Sequence, residues 1–268
     1  YQNVIAGDYK LLLMDEIMDH VRKHDYSDVP AIKVYFQILT TFNEFDNVAH
    51  FKKLKEYIAS YAPLFDKREA RNVLNFAQNY CIRKINKGNI EFSTELFELY
   101  KMALDMDLLL EKGIMSPWNY KNITAVGLRL EEFGWVQDFL LKFKPHLAPA
   151  HRDNAYKYNL AKLHFAKKDY DKVLELLREV EYDDIFYSLD SRSMLLKTYY
   201  ELNEFEPLYS LADSFKVYLR RKKNLSDHHR TNYLNLIKFV KKATRVMPGD
   251  KVKLKQLTDE INTTVHVS

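Results

Sequence analysis

The run Leu160–Asp184, LAKLHFAKKDYDKVLELLREVEYDD, carries two apolar stripes at helical spacing on either side of a polar turn. Leu160 and Leu163 lead into Phe165, the turn falls at Asp169-Tyr170, and Val173, Leu177 and Val180 follow at steps of three and four. Such spacing predicts two amphipathic helices folded back on each other. The turns Gly134-Trp135-Val136, Asp169-Tyr170-Asp171 and Glu204-Phe205-Glu206 align, placing Trp135, Tyr170 and Phe205 35 residues apart. Ten residues upstream lie Ala125, Leu160 and Leu195; three residues downstream lie Asp138, Val173 and Leu208, where Asp138 is a misfit. Helix–turn–helix units at this period mark stacked helical hairpins, each too small to bury its apolar face alone.

Outward from the repeat the pattern stays helical. Leu11, Met14, Ile17, Met18 and Val21 predict an opening helix over about 8–23. Pro30 suits a first helical turn, Pro63 ends the stripe Phe51, Leu54, Ile58, and Lys87-Gly88-Asn89 stops Val73 to Ile85. Phe92 to Ala103 supplies a partner, and Asn43-Glu44-Phe45 reads as a divergent turn. Ser116-Pro117 and Ser226-Asp227 are helix starts, while Met247-Pro248-Gly249 breaks the chain before a last helix at 251–261. The expected fold is all-α: about twelve to fourteen helices in one right-handed superhelix, an α-solenoid of stacked antiparallel hairpins without a sheet. Its parts are divergent hairpins over 8–115, three repeats over 116–223 and basic capping helices over 224–268.

Composition agrees. The 268 residues include 6 Gly, 7 Pro and 37 aromatics, and glycine stands at about a third of its usual frequency. Little material is left for phosphate-cradling loops or β-turns. No GxGxxG, Walker-type, GxSxG or HExxH pattern occurs, so no catalytic residue, cofactor, metal or small-molecule substrate is expected. Acid pairs such as Glu131-Glu132 and Asp183-Asp184 fit solvated helix ends. His20 and His24 share a helix face without a third ligand, and His146, His151 and His228-His229 form no set. No run approaches the roughly 18 to 20 apolar residues of a membrane span. No signal peptide is visible, the missing initiator Met suggests an excised piece of a longer chain, and the lone Cys81 fits a reducing, cytoplasmic setting. The sequons at Asn122, Asn224 and Asn262 carry no meaning there.

Leu160–Asp184 resembles a tetratricopeptide repeat, and LLKTYYELNEFEPLYSLADSF, Leu195–Phe215, resembles the one after it. The likeness is clearest over 154–219; Pro207 departs from it, and Lys168 and Asn203 stand where the family has a turn glycine. It implies a non-catalytic interaction or scaffold module with a concave wall lined by first helices. On that wall Tyr158, Lys162 and Phe165, then Ser193, Lys197 and Tyr200, face away from the core, and Lys162 and Lys197 stack in register. Lysines between tyrosines suit an acidic or C-terminal-carboxylate peptide; solvated helix-face lysines and repeat-core aromatics are the plainer alternative.

Leu110–Leu140, LEKGIMSPWNYKNITAVGLRLEEFGWVQDFL, is similar to a pentatricopeptide repeat, which implies single-stranded RNA; neighbouring repeats do not keep the pattern. Charge adds to this alternative. The net +4 is local: from Phe215 to Leu257 there are 13 Lys and Arg against Asp227 and Asp250 alone. Arg220, Arg221, Lys238, Lys241, Lys242 and Arg245 form a basic face, which suits a solvated cap, an acidic protein or nucleic-acid phosphates.

Overall fold

Short polar side chains set the helix starts in the computed structural model, which describes residues 14–26, 28–178, 180 and 185–264. The expected first helix residues 8–13, Leu11 among them, and the pair Asp183-Asp184 lie outside that range. Asn47, Asp66, Ser116, Ser226 and Asp250 each accept a backbone N–H from the first turn of the helix they precede. Proline opens two more first turns, at Pro30 and Pro149, and Pro117 joins the Ser116 cap. Thirteen α-helices result among the described residues, as the periodicity predicts.

They form two compact units, one ending at Gly113 and the other starting at Ile114. In the first, α1 (Met14–Lys23) precedes the hairpin of α2 (Pro30–Asn43) with α3 (Val48–Tyr61), and that of α4 (Lys67–Asn86) with α5 (Phe92–Asp105). Its core centres on Tyr80, whose ring stacks on Phe51 at 4.8 Å and meets Phe92 edge-on at 5.7 Å. The Tyr80 hydroxyl donates to the Phe45 carbonyl at 2.9 Å. Lys84 is buried beside them, its ammonium 4.6 Å from the Phe45 ring centre and 3.2 Å from Asp46 Oδ1. Cys81 is a buried free thiol, and burial pushes its pKa up.

In the second unit, α6 (Pro117–Arg129) pairs with α7 (Phe133–Phe143), α8 (Pro149–Ala166) with α9 (Tyr170–Arg178), and α10 (Ile185–Glu201) with α11 (Phe205–Arg221). Then α12 (Asp227–Ala243) packs on α10 and α11, and α13 (Lys251–Thr263) packs on α12. First helices also touch one another in series, α6 to α8, α8 to α10 and α10 to α12. Each unit is thus a stack of hairpins. One core layer joins Tyr158 and Ala161 to Val173, Leu177 and Met194, and the next joins Leu196, Leu208, Phe215 and Ile237. The expectation of no sheet needs one small correction. Two-residue strands, β1 (Leu110–Glu111) and β2 (Ile114–Met115), pair around Lys112 and Gly113, both of which take positive φ as a tight hairpin turn requires. The pentatricopeptide-like segment therefore begins as a β-hairpin, and only its part from Pro117 is helical.

The hairpin turns share one geometry. Glu131, Lys168 and Asn203 sit in the left-handed region at φ 59°, 62° and 59°. The next N–H in each case reaches back to a carbonyl five residues earlier: Glu132 to Gly127, Asp169 to His164, Glu204 to Tyr199. The second helix then starts at Phe133, Tyr170 and Phe205. Phe133, not Trp135, is therefore the equivalent of Tyr170, and the first spacing is two residues longer than the sequence alignment has it. The shift removes the misfit: three residues beyond Phe133 lies Val136, fully buried like Val173 and Leu208. Trp135 instead stacks on Phe139 at 5.4 Å. A side chain at positive φ costs roughly 1–2 kcal/mol, less for Asn. Lys168→Gly is expected to stabilise the protein by about 1 kcal/mol in urea unfolding, and Asn203→Gly by a smaller amount.

Candidate functional site

A cavity of about 590 Å³ opens along the first helices of the second unit. Leu128 and Arg129 of α6, Tyr158, Lys162 and Phe165 of α8, Asp190, Ser193, Met194 and Lys197 of α10, and Tyr233 of α12 line it. Four of the five residues the sequence assigns to a concave wall, Tyr158, Lys162, Phe165 and Lys197, are thereby brought together. Tyr200, one turn beyond Lys197, lines another cavity of about 720 Å³ with Arg245, Met247 and Leu254. Residues from the last turn of α12 and the segment after it line that second cavity, and Tyr200, itself exposed, does not line the first. Tyr158 also differs from its expected place: it is fully buried in the hairpin core, whereas Leu160 is only half-buried.

Asp190 ties the cavity together. Its Oδ2 accepts from Lys121 Nζ at 2.5 Å and from the Tyr158 hydroxyl at 3.2 Å; its Oδ1 accepts from the Tyr233 hydroxyl at 3.1 Å. One carboxylate on α10 thus holds α6, α8 and α12. Burial, followed by the Asp190 charge, pushes both phenols above their ordinary range, so they remain donors. The Lys121 ammonium also lies 5.4–5.6 Å from the ring centres of Trp118, Tyr158 and Tyr187.

Lys162 has no carboxylate of its own. Part of its surface stays open to the cavity, but protein surrounds its ammonium, which stands 5.8 Å from the Tyr158 ring centre. Desolvation, then the charges of Lys121 and Arg129, pushes its pKa down to about 8, against the partial pull of Asp190. Among the described residues, Lys162, Arg129 and Lys197 have neither an ion pair nor a hydrogen bond from the side chain. The cavity therefore presents three uncompensated cations, while the charge of Lys121 is matched by Asp190.

Sequence reasoning misses Lys121, Arg129, Asp190 and Tyr233. The turn geometry supplies the missing signal for α6: stepping back 37 rather than 35 residues from Tyr158, Lys162 and Phe165 reaches Lys121, Ala125 and Leu128. Asp190 has no counterpart in the stripe, since the corresponding residue one repeat earlier is Ala155.

The basic face of α12 is largely occupied from within. Lys238 and Lys242 meet Glu260 of α13 at 2.8 and 2.5 Å, and Lys241 meets Asp213 of α11 at 3.0 Å. Glu260 is held below its ordinary pKa by the hydrogen bonds of Lys238 and Lys242, and Asp213 by that of Lys241. Arg230 donates to the Leu219, Lys222 and Leu225 carbonyls, closing the end of α11. Arg220, Arg221 and Arg245 are exposed and have no carboxylate partner among the described residues.

No group of three potential metal ligands exists among the described residues. The rings of His20 and His24 stack at 4.0 Å, and their nitrogens bond Tyr26 and the His20 carbonyl. No described helix is long and apolar enough to cross a membrane.

Asp190→Ala is expected to destabilise the protein by about 2 kcal/mol in urea unfolding, because it strands the half-buried Lys121 and two phenols. Glu260→Gln is expected to speed amide exchange in α13 without changing that of α8. In the wild type, the protection of α13 amides relative to their intrinsic exchange rate should fall as acid protonates Glu260. A carboxylate whose pKa is depressed on folding stabilises above its unfolded value and loses that contribution as pH falls through the folded one.

Compared with protein families, curated proteins and solved structures, the chain matches none of them.

Proposed function

We propose that the second unit is a non-catalytic, tetratricopeptide-like interaction module whose first-helix cavity binds an acidic peptide or protein segment. The observation that carries this reading is the convergence of Arg129, Lys162 and Lys197, all without carboxylate partners among the described residues, on one cavity with Phe165 in its wall and the buried Tyr158 behind it. Three like charges held together oppose folding unless something else rewards them, and an anionic ligand does so. The partly exposed Phe165 ring would receive the apolar part of a peptide. A reducing setting belongs to the same reading and is supported by the free, buried Cys81.

Nucleic acid is the weaker reading. The α12 lysines that would meet phosphates already engage Glu260 and Asp213, whereas the cavity cations do not engage any carboxylate.

Peptides selected from a random display library on the protein are expected to be rich in Asp and Glu. Arg129→Ala combined with Lys197→Ala should weaken them by about five- to thirtyfold with the thermal midpoint unchanged, each exposed cation contributing roughly 0.5–1 kcal/mol. Selected peptides that are neutral, or that bind the double variant as tightly as the wild type, would overturn the assignment.

A further inference from the structure

The cavity's cations are not equivalent, and the difference bears on how an anion enters. Arg129 and Lys197 are exposed and keep their hydration, whereas Lys162, lining the same cavity, is only partly exposed and its ammonium is desolvated. The charged and titratable groups that share its cavity or act on its charge are Lys121 and Arg129 from α6, Tyr158 from its own α8, Asp190 and Lys197 from α10, and Tyr233 from α12; α7 and α9, which pack on the other side of α8, contribute none. Asp190 is the one anion in that set, and Lys121, Tyr158 and Tyr233 already share it. An ammonium so placed has lost water, has no ion pair of its own and feels the like charges of Lys121 and Arg129. Each of these disfavours the protonated state until an anion arrives.

Resting on the reading of the cavity as an acidic-peptide site, we propose that Lys162 makes anion capture proton-coupled: a peptide carboxylate enters beside Lys162 together with the proton that charges it. The amine takes up one proton, the carboxylate arrives ionised, and the pair leaves the cavity's net charge as it was. The depressed pKa of about 8 places the transition just above neutrality. Below it Lys162 is already charged and binding needs no proton. Above it the carboxylate that pairs with Lys162 brings one, so affinity falls with rising pH, approaching tenfold per pH unit. Neither of the facing phenols interferes, since both are held above their ordinary range. Ordinary lysine and arginine groups titrate higher still.

The test uses an acetylated, fluorescein-free hexaglutamate peptide and titration calorimetry of the whole chain at pH 7 and pH 9, in buffers of differing ionisation enthalpy. Proton uptake near one per peptide is expected at pH 9 and near zero at pH 7. In Lys162→Arg, whose guanidinium stays charged, binding should persist with uptake abolished and the pH dependence flat. Because that variant is bulkier, a second measurement uses the wild type: reductively 13C-methylated protein should show one lysine signal titrating near pH 8, moving to higher pH when peptide is bound. Equal affinity at both pH values with no uptake would overturn proton coupling and leave the peptide site standing. Absence of binding at either pH would overturn the peptide site and the coupling with it.

Discussion

The left-handed residue that closes each first helix of the repeats governs the second unit. At Glu131, Lys168 and Asn203 the chain reverses through one backbone conformation, and the second helix starts two residues later. That fixed geometry decides which side chains of the second helix reach the core, Val136, Val173 and Leu208 among them. Glycine would adopt the conformation without strain; these turns accept a charged or polar residue because its side chain projects into solvent and the returning backbone hydrogen bond is kept.

The architecture is legible in the sequence because helical hairpins advertise themselves through periodicity and caps, both of which are local. Ser116-Pro117, Ser226 and the stripes of α4 and α5 suffice for their elements. Register is less legible. An aromatic at a turn looks the same whether it is the first residue of the second helix, like Phe133, or the third, like Trp135, and only the backbone angle at Glu131 separates them. The groove is readable to the same degree: Lys162 and Lys197 follow from the period, while Lys121 is displaced by the two-residue shift.

Asp190 is illegible for a different reason. A lone acid on an amphipathic helix has no periodic partner, and its importance comes from three other helices converging on one carboxylate. Long-range polar contacts of this kind leave no trace in spacing. The basic C-terminal region shows the converse: its charge density is plain in the sequence, but the ion pairs to Glu260 and Asp213 are contacts across helices, and they make much of that charge structural. Net charge by itself thus overstates what a ligand would meet, whereas the cavity's smaller set of cations is uncompensated.

The single cysteine has a practical consequence. Cys81 lies wholly inside the α4–α5 core, and its thiol resists ionisation, so in the folded chain it is a poor nucleophile toward maleimides or methanethiosulfonates. The native protein therefore behaves as a cysteine-free background for site-specific labelling. Dyes or spin labels on engineered surface cysteines would report from their own positions alone, and the sudden reactivity of Cys81 would itself be a tracer-free signal that the first unit has opened.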